Sequence, residues 1–185
     1  DFFLHFKDMV LAKKDGKYGV ISISGNIIIP VEYDKIESDH YYDSSFIVYQ
    51  NGKAGVIDHS GNQMLPLAYD YIEVSDHGFW LLVQNKKTGF YATATGKLYT
   101  PEYDEAIIAT DNLLLVRKGD LWGMANDANH LVYPVKYRSA HAYSNATELF
   151  DAAGKRIYVD HEPYIRSSRR AYAVRETAPV HFLRD

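Results

Sequence analysis

One block of this sequence is written more than once. Lys17-Tyr18-Gly19-Val20-Ile21, Ser24-Gly25-Asn26, Ile29-Pro30 and Tyr33-Asp34-Lys35-Ile36 return 36 residues later as Lys53-Ala54-Gly55-Val56-Ile57, Ser60-Gly61-Asn62, Leu65-Pro66 and Tyr69-Asp70-Tyr71-Ile72. A third, degenerate copy has Thr95-Gly96-Lys97, Thr100-Pro101 and Tyr103-Asp104, with Phe90 expected in place of its first glycine. A fourth reads Leu121-Trp122-Gly123-Met124, Tyr133-Pro134 and Tyr137-Arg138, and a partial fifth reads Leu149-Phe150-Asp151-Ala152-Ala153-Gly154-Lys155. A unit of about 35 residues cannot bury a core alone, so a sequence of this kind must stack its copies. Asp1-Phe2-Phe3 falls at the Tyr-Asp-x-Ile place of an earlier copy, so the chain is expected to begin inside a module.

Each copy reads as short strands joined by tight turns. Phe46 to Gln50 is β-branched and aromatic, and Asn51-Gly52 follows it, with Asp15-Gly16 at the matching place. Asn-Gly and Asp-Gly suit a type I′ hairpin, which needs positive φ at both central residues. Ala54 to Asp58 is the return strand, and Ser60-Gly61-Asn62 turns the chain again. Gln63 to Leu65 is expected as a third strand that Pro66 ends or places on an edge, and Tyr69 to Val74 as a fourth. A glycine repeated inside a strand (Gly19, Gly55, Gly123) implies a bulge or the close approach of backbone or a ring. The aromatic residue before it, Tyr18 or Trp122, is expected to pack across the module.

The boundaries that follow are a partial module at 1–14, repeats at about 15–50, 51–85, 86–117 and 118–144, a partial repeat at 145–154, and an atypical Arg-rich end at 155–185. The fold expected is all-β. An open solenoid or superhelix of hairpins is favoured, with a small closed β-propeller as the alternative.

These residues resemble the WG-repeat family, the WG-containing β repeats named for a Trp-Gly pair. Gly16-Lys17-Tyr18-Gly19 and Gly52-Lys53-Ala54-Gly55 keep most of its pattern, and Leu121-Trp122-Gly123 keeps the pair. Ile57-Asp58, Leu65-Pro66 and Tyr69-Asp70-Tyr71-Ile72 match as well. Pro30, Pro66, Tyr33 and Tyr69 therefore join the repeat signature. Tyr18 and Ala54 for Trp, and Arg138 for Asp, depart from it. The resemblance implies bacterial origin, a β-rich array and often an envelope or surface setting, with no catalytic residues.

Composition narrows the functional classes. The net charge is −4, which does not favour a surface built to neutralise phosphates, so no nucleic-acid partner is expected. No apolar run approaches the length of a membrane-spanning helix. Cysteine is absent, which removes disulfides and thiolate sites, and 16 Tyr favour strands. Residues 155–185 carry +3 and residues 1–154 carry −7. Arg166, Arg169 and Arg170 are the densest part of that end, read first as a cap and second as a docking surface for an acidic partner.

Tyr41, Tyr42, Phe79, Trp80 and Tyr143 lie near loops between repeats and are the candidate binding aromatics. Strand alternation is expected to send one of each adjacent pair inward. Ser38-Asp39-His40 recurs as Ser75-Asp76-His77, residue types able to bind a metal or share a proton, although solvated loop tips explain them as well. Asp58-His59-Ser60 holds triad residue types in contiguous positions, which suits a turn rather than catalysis. The repeated Tyr-Asp pairs read as packing and turn-capping units, because a catalytic pair is needed once. No metal or cofactor site is expected. The function expected is a noncatalytic protein-interaction scaffold of a bacterial envelope or surface complex. The alternatives are a carbohydrate or cell-wall binding module and an accessory domain of an enzyme.

Overall fold

The computed structural model describes residues 2–6 (backbone), 8–38, 45–75 and 77–164. It is all-β, as the sequence implies, with one helical turn at 162–164 among the described residues. The strands form successive antiparallel sheets in chain order. The first sheet holds β1 (Phe2–Phe6), β2 (Met9–Lys14), β3 (Lys17–Ser22) and β4 (Ile27–Tyr33). The second holds β5 (Lys35–Ser38), β6 (Ser45–Gln50), β7 (Lys53–Asp58) and β8 (Gln63–Tyr69). The third holds β9 (Tyr71–Val74), β10 (Phe79–Gln84), β11 (Lys87–Ala92) and β12 (Lys97–Tyr103). The fourth holds β13 (Glu105–Thr110), β14 (Leu113–Lys118), β15 (Leu121–Asn126) and β16 (Leu131–Tyr137). The fifth has three strands, β17 (Ser139–Ala142), β18 (Ala146–Phe150) and β19 (Arg156–Asp160). In every sheet the strands neighbour one another in sequence order, and no sheet closes on itself.

The sequence repeat and the sheet are out of phase by one strand. Tyr69 to Val74 is two strands rather than one: Tyr69 ends β8, the chain bends at Asp70, and Tyr71 opens the next sheet. The fifth sheet also takes in Arg156–Asp160, which the sequence reading assigned to the C-terminal segment.

The hairpins follow their turn residues. Asp15-Gly16 and Asn51-Gly52 have positive φ at both positions, as a type I′ turn requires. Asn85-Lys86 adopts the same geometry without glycine, which is why no Gly marks the third hairpin. At the far end of β7, Asp58 Oδ1 accepts bonds from the N–H groups of Ser60 and Asn62, both at 2.8 Å. Asp58 is thus a turn former, as its context indicated.

The repeated glycine has a backbone reason. β7 pairs with β8 through Ala54↔Tyr69 and Val56↔Leu65, so two extra residues of β8 bulge out opposite Gly55. The same shift separates Tyr18↔Tyr33 from Val20↔Ile29, Thr88↔Tyr103 from Phe90↔Tyr99, and Trp122↔Tyr137 from Met124↔Tyr133. A Cβ on Gly55 would stand 2.9 Å from Leu67 N and 3.0 Å from Leu65 O. On Gly89 it would stand 2.4 Å from Tyr99 O. The third copy therefore keeps its glycine at Gly89, and Phe90 occupies the place of Val20, Val56 and Met124 rather than that of the glycine. Pro30, Pro66, Pro101 and Pro134 lie on strands at a sheet edge, where a missing N–H costs no ladder bond.

The chain divides into two compact units, Asp1–Asp76 with Leu81–Lys86, and His77–Trp80 with Lys87–Asp185. In the first unit, Met9, Val20, Ile29 and Tyr33 of the first sheet pack with Phe46, Val48 and Ile57 of the second. In the second unit, Leu113, Leu115, Met124 and Tyr137 of the fourth sheet pack with Leu149 and Val159 of the fifth. The rule is the same in both. One face of a sheet, carrying the Tyr of the Tyr-Asp landmark, buries the opposite face of the sheet that follows.

Candidate functional site

The most regular polar feature is the crossing from one sheet to the next. Asp34 N–H donates to Tyr49 O at 2.8 Å, and Asp70 N–H to Val83 O at 2.7 Å. Asp104 N–H donates to Arg117 O at 2.9 Å. The carboxylates then work in two directions. Lys17 Nζ donates to Asp34 Oδ1 at 2.5 Å, while Asn51 N–H, in the hairpin of the following sheet, donates to Asp34 Oδ2 at 2.8 Å. Asp70 takes the same two bonds from Lys53 and Asn85, and Asp104 from Lys87 and Gly119. The lysine bond first, and the hairpin N–H second, hold each of these carboxyls below its ordinary pKa. The preceding Tyr33, Tyr69 and Tyr103 are buried. Tyr103 donates to Asn129 Oδ1 at 2.7 Å, and burial, with the Glu102 charge, pushes its phenol up to about 12. The Tyr-Asp pairs are therefore packing and capping units.

The fourth crossing differs. Arg138 N–H keeps the backbone bond, to Phe150 O at 2.8 Å, but Arg138 replaces the carboxylate. Leu121 stands where Lys17, Lys53 and Lys87 stand in the earlier sheets. Both members of the ion pair are exchanged together.

The candidate aromatics separate. Phe79 and Trp80 are both buried, Trp80 at 2% exposure, so the expectation that one of the two would face outward fails. The reason is that β6, β10 and β14 each open with four consecutive buried residues and so are covered on both faces. The Trp80 ring lies 5.2 Å from that of Tyr91 and Phe79 lies 5.5 Å from Phe90; both rings serve the core. Tyr143 is exposed, and its hydroxyl donates to Glu148 Oε2 at 3.4 Å. Tyr41, Tyr42, Arg166, Arg169 and Arg170 lie outside the described residues, as do Asp39, His40 and Asp76. His77 Nδ1 is 3.1 Å from Asp111 Oδ1. Among the described residues no group of three His, Cys, Asp or Glu is arranged to hold a metal. None of their helices is long and apolar enough to cross a membrane.

Sequence reasoning missed a different set. The outer strand of each four-stranded sheet begins with exposed apolar side chains: Ile27 on β4, Met64 on β8, Leu98 on β12, and Leu131 with Val132 on β16. The signal was present just ahead of each Ile-Pro or Tyr-Pro landmark, but alternation alone does not say which apolar residue of an edge strand is left uncovered.

The glycine, the bulged proline strand and the Tyr-Asp crossing recur as one unit, and the family model described as "WG containing repeat" matches residues 18–53 and 55–87. The chain contains WG repeats. No curated protein sequence matches it significantly. Among solved structures, the WG-repeat chain is similar to a computationally designed protein, Ika8. The identity is 11% and the TM-score 0.37, over 86% of this chain and 57% of that one. It is similar to Hsv2 of Kluyveromyces lactis, at 8% identity and TM-score 0.40, over 85% of this chain and 60% of that one. It is also similar to the WD40 β-propeller domain of Doa1, at 9% identity and TM-score 0.32, over 86% and 67% of the two chains. The chain thus spans about three fifths of the length of the first two.

Proposed function

We propose that this WG-repeat chain is a noncatalytic scaffold that binds a protein partner, in a bacterial envelope or surface complex. The observation that carries the reading is recurrence. An exposed apolar residue opens the outer strand of each of the first four sheets, at Ile27, Met64, Leu98 and Leu131. Packing inside a sheet does not require it there. Repeated small contacts of this kind add up along an array, and none of them needs a reactive group. The envelope setting rests on the resemblance alone.

The test is affinity capture from detergent-solubilised envelope with the intact chain and with Met64→Lys and Leu98→Lys. One or two stoichiometric proteins, lost from both variants while the melting temperature holds, support the reading. Capture that ignores both substitutions contradicts it. The carbohydrate alternative now leans on Tyr143, because Trp80 is buried. Glycan enrichment lost in Tyr143→Ala, with no protein enriched, would favour that alternative.

A further inference from the structure

The first and fifth sheets present opposite chemistry on the faces that no described sheet of their own unit covers. In the second sheet the paired residues Phe46↔Ile57 and Val48↔Gly55 form the face buried against the first sheet. The matching pairs of the first sheet are Val10↔Ile21 and Ala12↔Gly19. They face away from the second sheet, because Met9, Leu11 and Val20, their neighbours in the alternation, face toward it. The same positions in the fourth sheet, Leu114, Val116 and Ala125, are fully buried. In the first sheet Val10, Ala12 and Ile21 are only half-buried, and Ile27, paired with Ile21, is 69% exposed. A face built for a sheet neighbour is therefore uncovered and carries no charged side chain at these positions.

The fifth sheet ends differently. Glu148↔Tyr158 occupies the place of Ile47↔Val56 in the second sheet. Tyr158 is 56% exposed, and Glu148 accepts from Arg156 Nη1 at 2.9 Å and from Tyr143 Oη at 3.4 Å. Ile157 takes the place of Gly55, so a bulged proline strand would meet its side chain. This sheet is a polar terminal cap.

We propose that the Val10, Ala12, Ile21 and Ile27 face binds a second copy of this chain, first sheet on first sheet. The contact extends the sheet-on-sheet interface that already joins the first and second sheets. A second copy has one face of this kind to offer, since its fifth sheet is polar, so the association is two-fold and stops at a dimer. The bound pair would hold two scaffolds, doubling the partner sites of the proposed function without using the same residues, Ile27 excepted.

Sedimentation velocity of the intact chain across a broad micromolar range tests this. A dimer is expected, weakened at least about tenfold by Ile27→Glu, because a charge would enter an apolar contact. Val10→Glu should act in the same way, and Ile27→Glu, at an exposed position, keeps the test valid if Val10→Glu fails to fold. Tyr158→Glu should leave the dimer unchanged. A monomer at every concentration, a dimer indifferent to Ile27→Glu, or growth beyond two copies would each overturn the proposal. A monomer would leave the face to another partner. Loss of the dimer with envelope capture by the Met64 surface intact would separate this proposal from the scaffold reading.

Discussion

The second and fifth sheets show what the repeat unit needs inside the array and what it drops at an end. The second sheet has a glycine under a bulged proline strand, a Lys53–Asp70–Asn85 staple, and burial on both faces of β6. The fifth has Ile157 for the glycine, Leu121 and Arg138 where the staple would be, and three strands. Its attachment to the fourth sheet relies on Leu149 and Val159. The comparison teaches that the landmarks are devices for joining one sheet to the next. Once no sheet follows, the reason for each of them disappears.

Removing the apolar attachment should have the largest effect. Leu149 is fully buried against the fourth sheet, so Leu149→Ala is expected to cost about 2–5 kcal/mol and to release the fifth sheet. Limited proteolysis within 139–160 alongside thermal melting would check it, and an unchanged melting curve would break the comparison. Gly89→Ala comes next, at about 1–3 kcal/mol, because its methyl group would meet backbone that cannot rotate away. A denaturant midpoint reads this directly, and a neutral result would remove the close-approach account of the repeated glycine.

Acid should affect the two regions in different windows. His161 is buried against Thr147 Oγ1 at 2.9 Å, and burial lowers its pKa. The folded fifth sheet thus favours neutral imidazole. Its stability is full above the unfolded value of about 6.5 and falls as pH drops through the lowered one. The Asp34, Asp70 and Asp104 carboxyls are also lowered, so the stability they contribute is present above about 3.9 and is lost only as pH falls further. Melting curves between neutral pH and pH 5 should therefore shift for the intact chain and shift less for His161→Gln. The smallest effect belongs to the staple itself. Asp70→Asn should lower the melting temperature less than Gly89→Ala does, since the pair is exposed. Leu121→Lys with Arg138→Asp should raise it slightly by adding a fourth staple.

Much of this was legible in the sequence because a repeat states its landmarks more than once. The Asp15-Gly16 and Asn51-Gly52 hairpins, the Asp58 turn, the edge placement of Pro66 and the packing role of the Tyr-Asp pairs follow from local chemistry. Gly89 was misassigned because the third copy moves its proline by one residue. Counting back from Pro101 by the spacing of the other copies lands on Phe90. The strand break at Asp70 was hidden because both flanking segments are good strand formers, and only the staple shows that the chain changes sheets there. Trp80 was misjudged for a tertiary reason. A strand covered on both faces carries no alternation, so its sequence does not tell which aromatic faces out. The exposed outer-strand residues were illegible for the complementary reason, since their exposure depends on where the neighbouring sheet ends.

Native-state hydrogen exchange at pH 7 and pH 5.5 tests most directly whether the fifth sheet is an unstapled cap on a stapled array. The amides of β18 and β19 are expected to lose protection at pH 5.5 while those of β6 and β7 keep theirs. Equal loss across both regions, or earlier loss in β6 and β7, would contradict it.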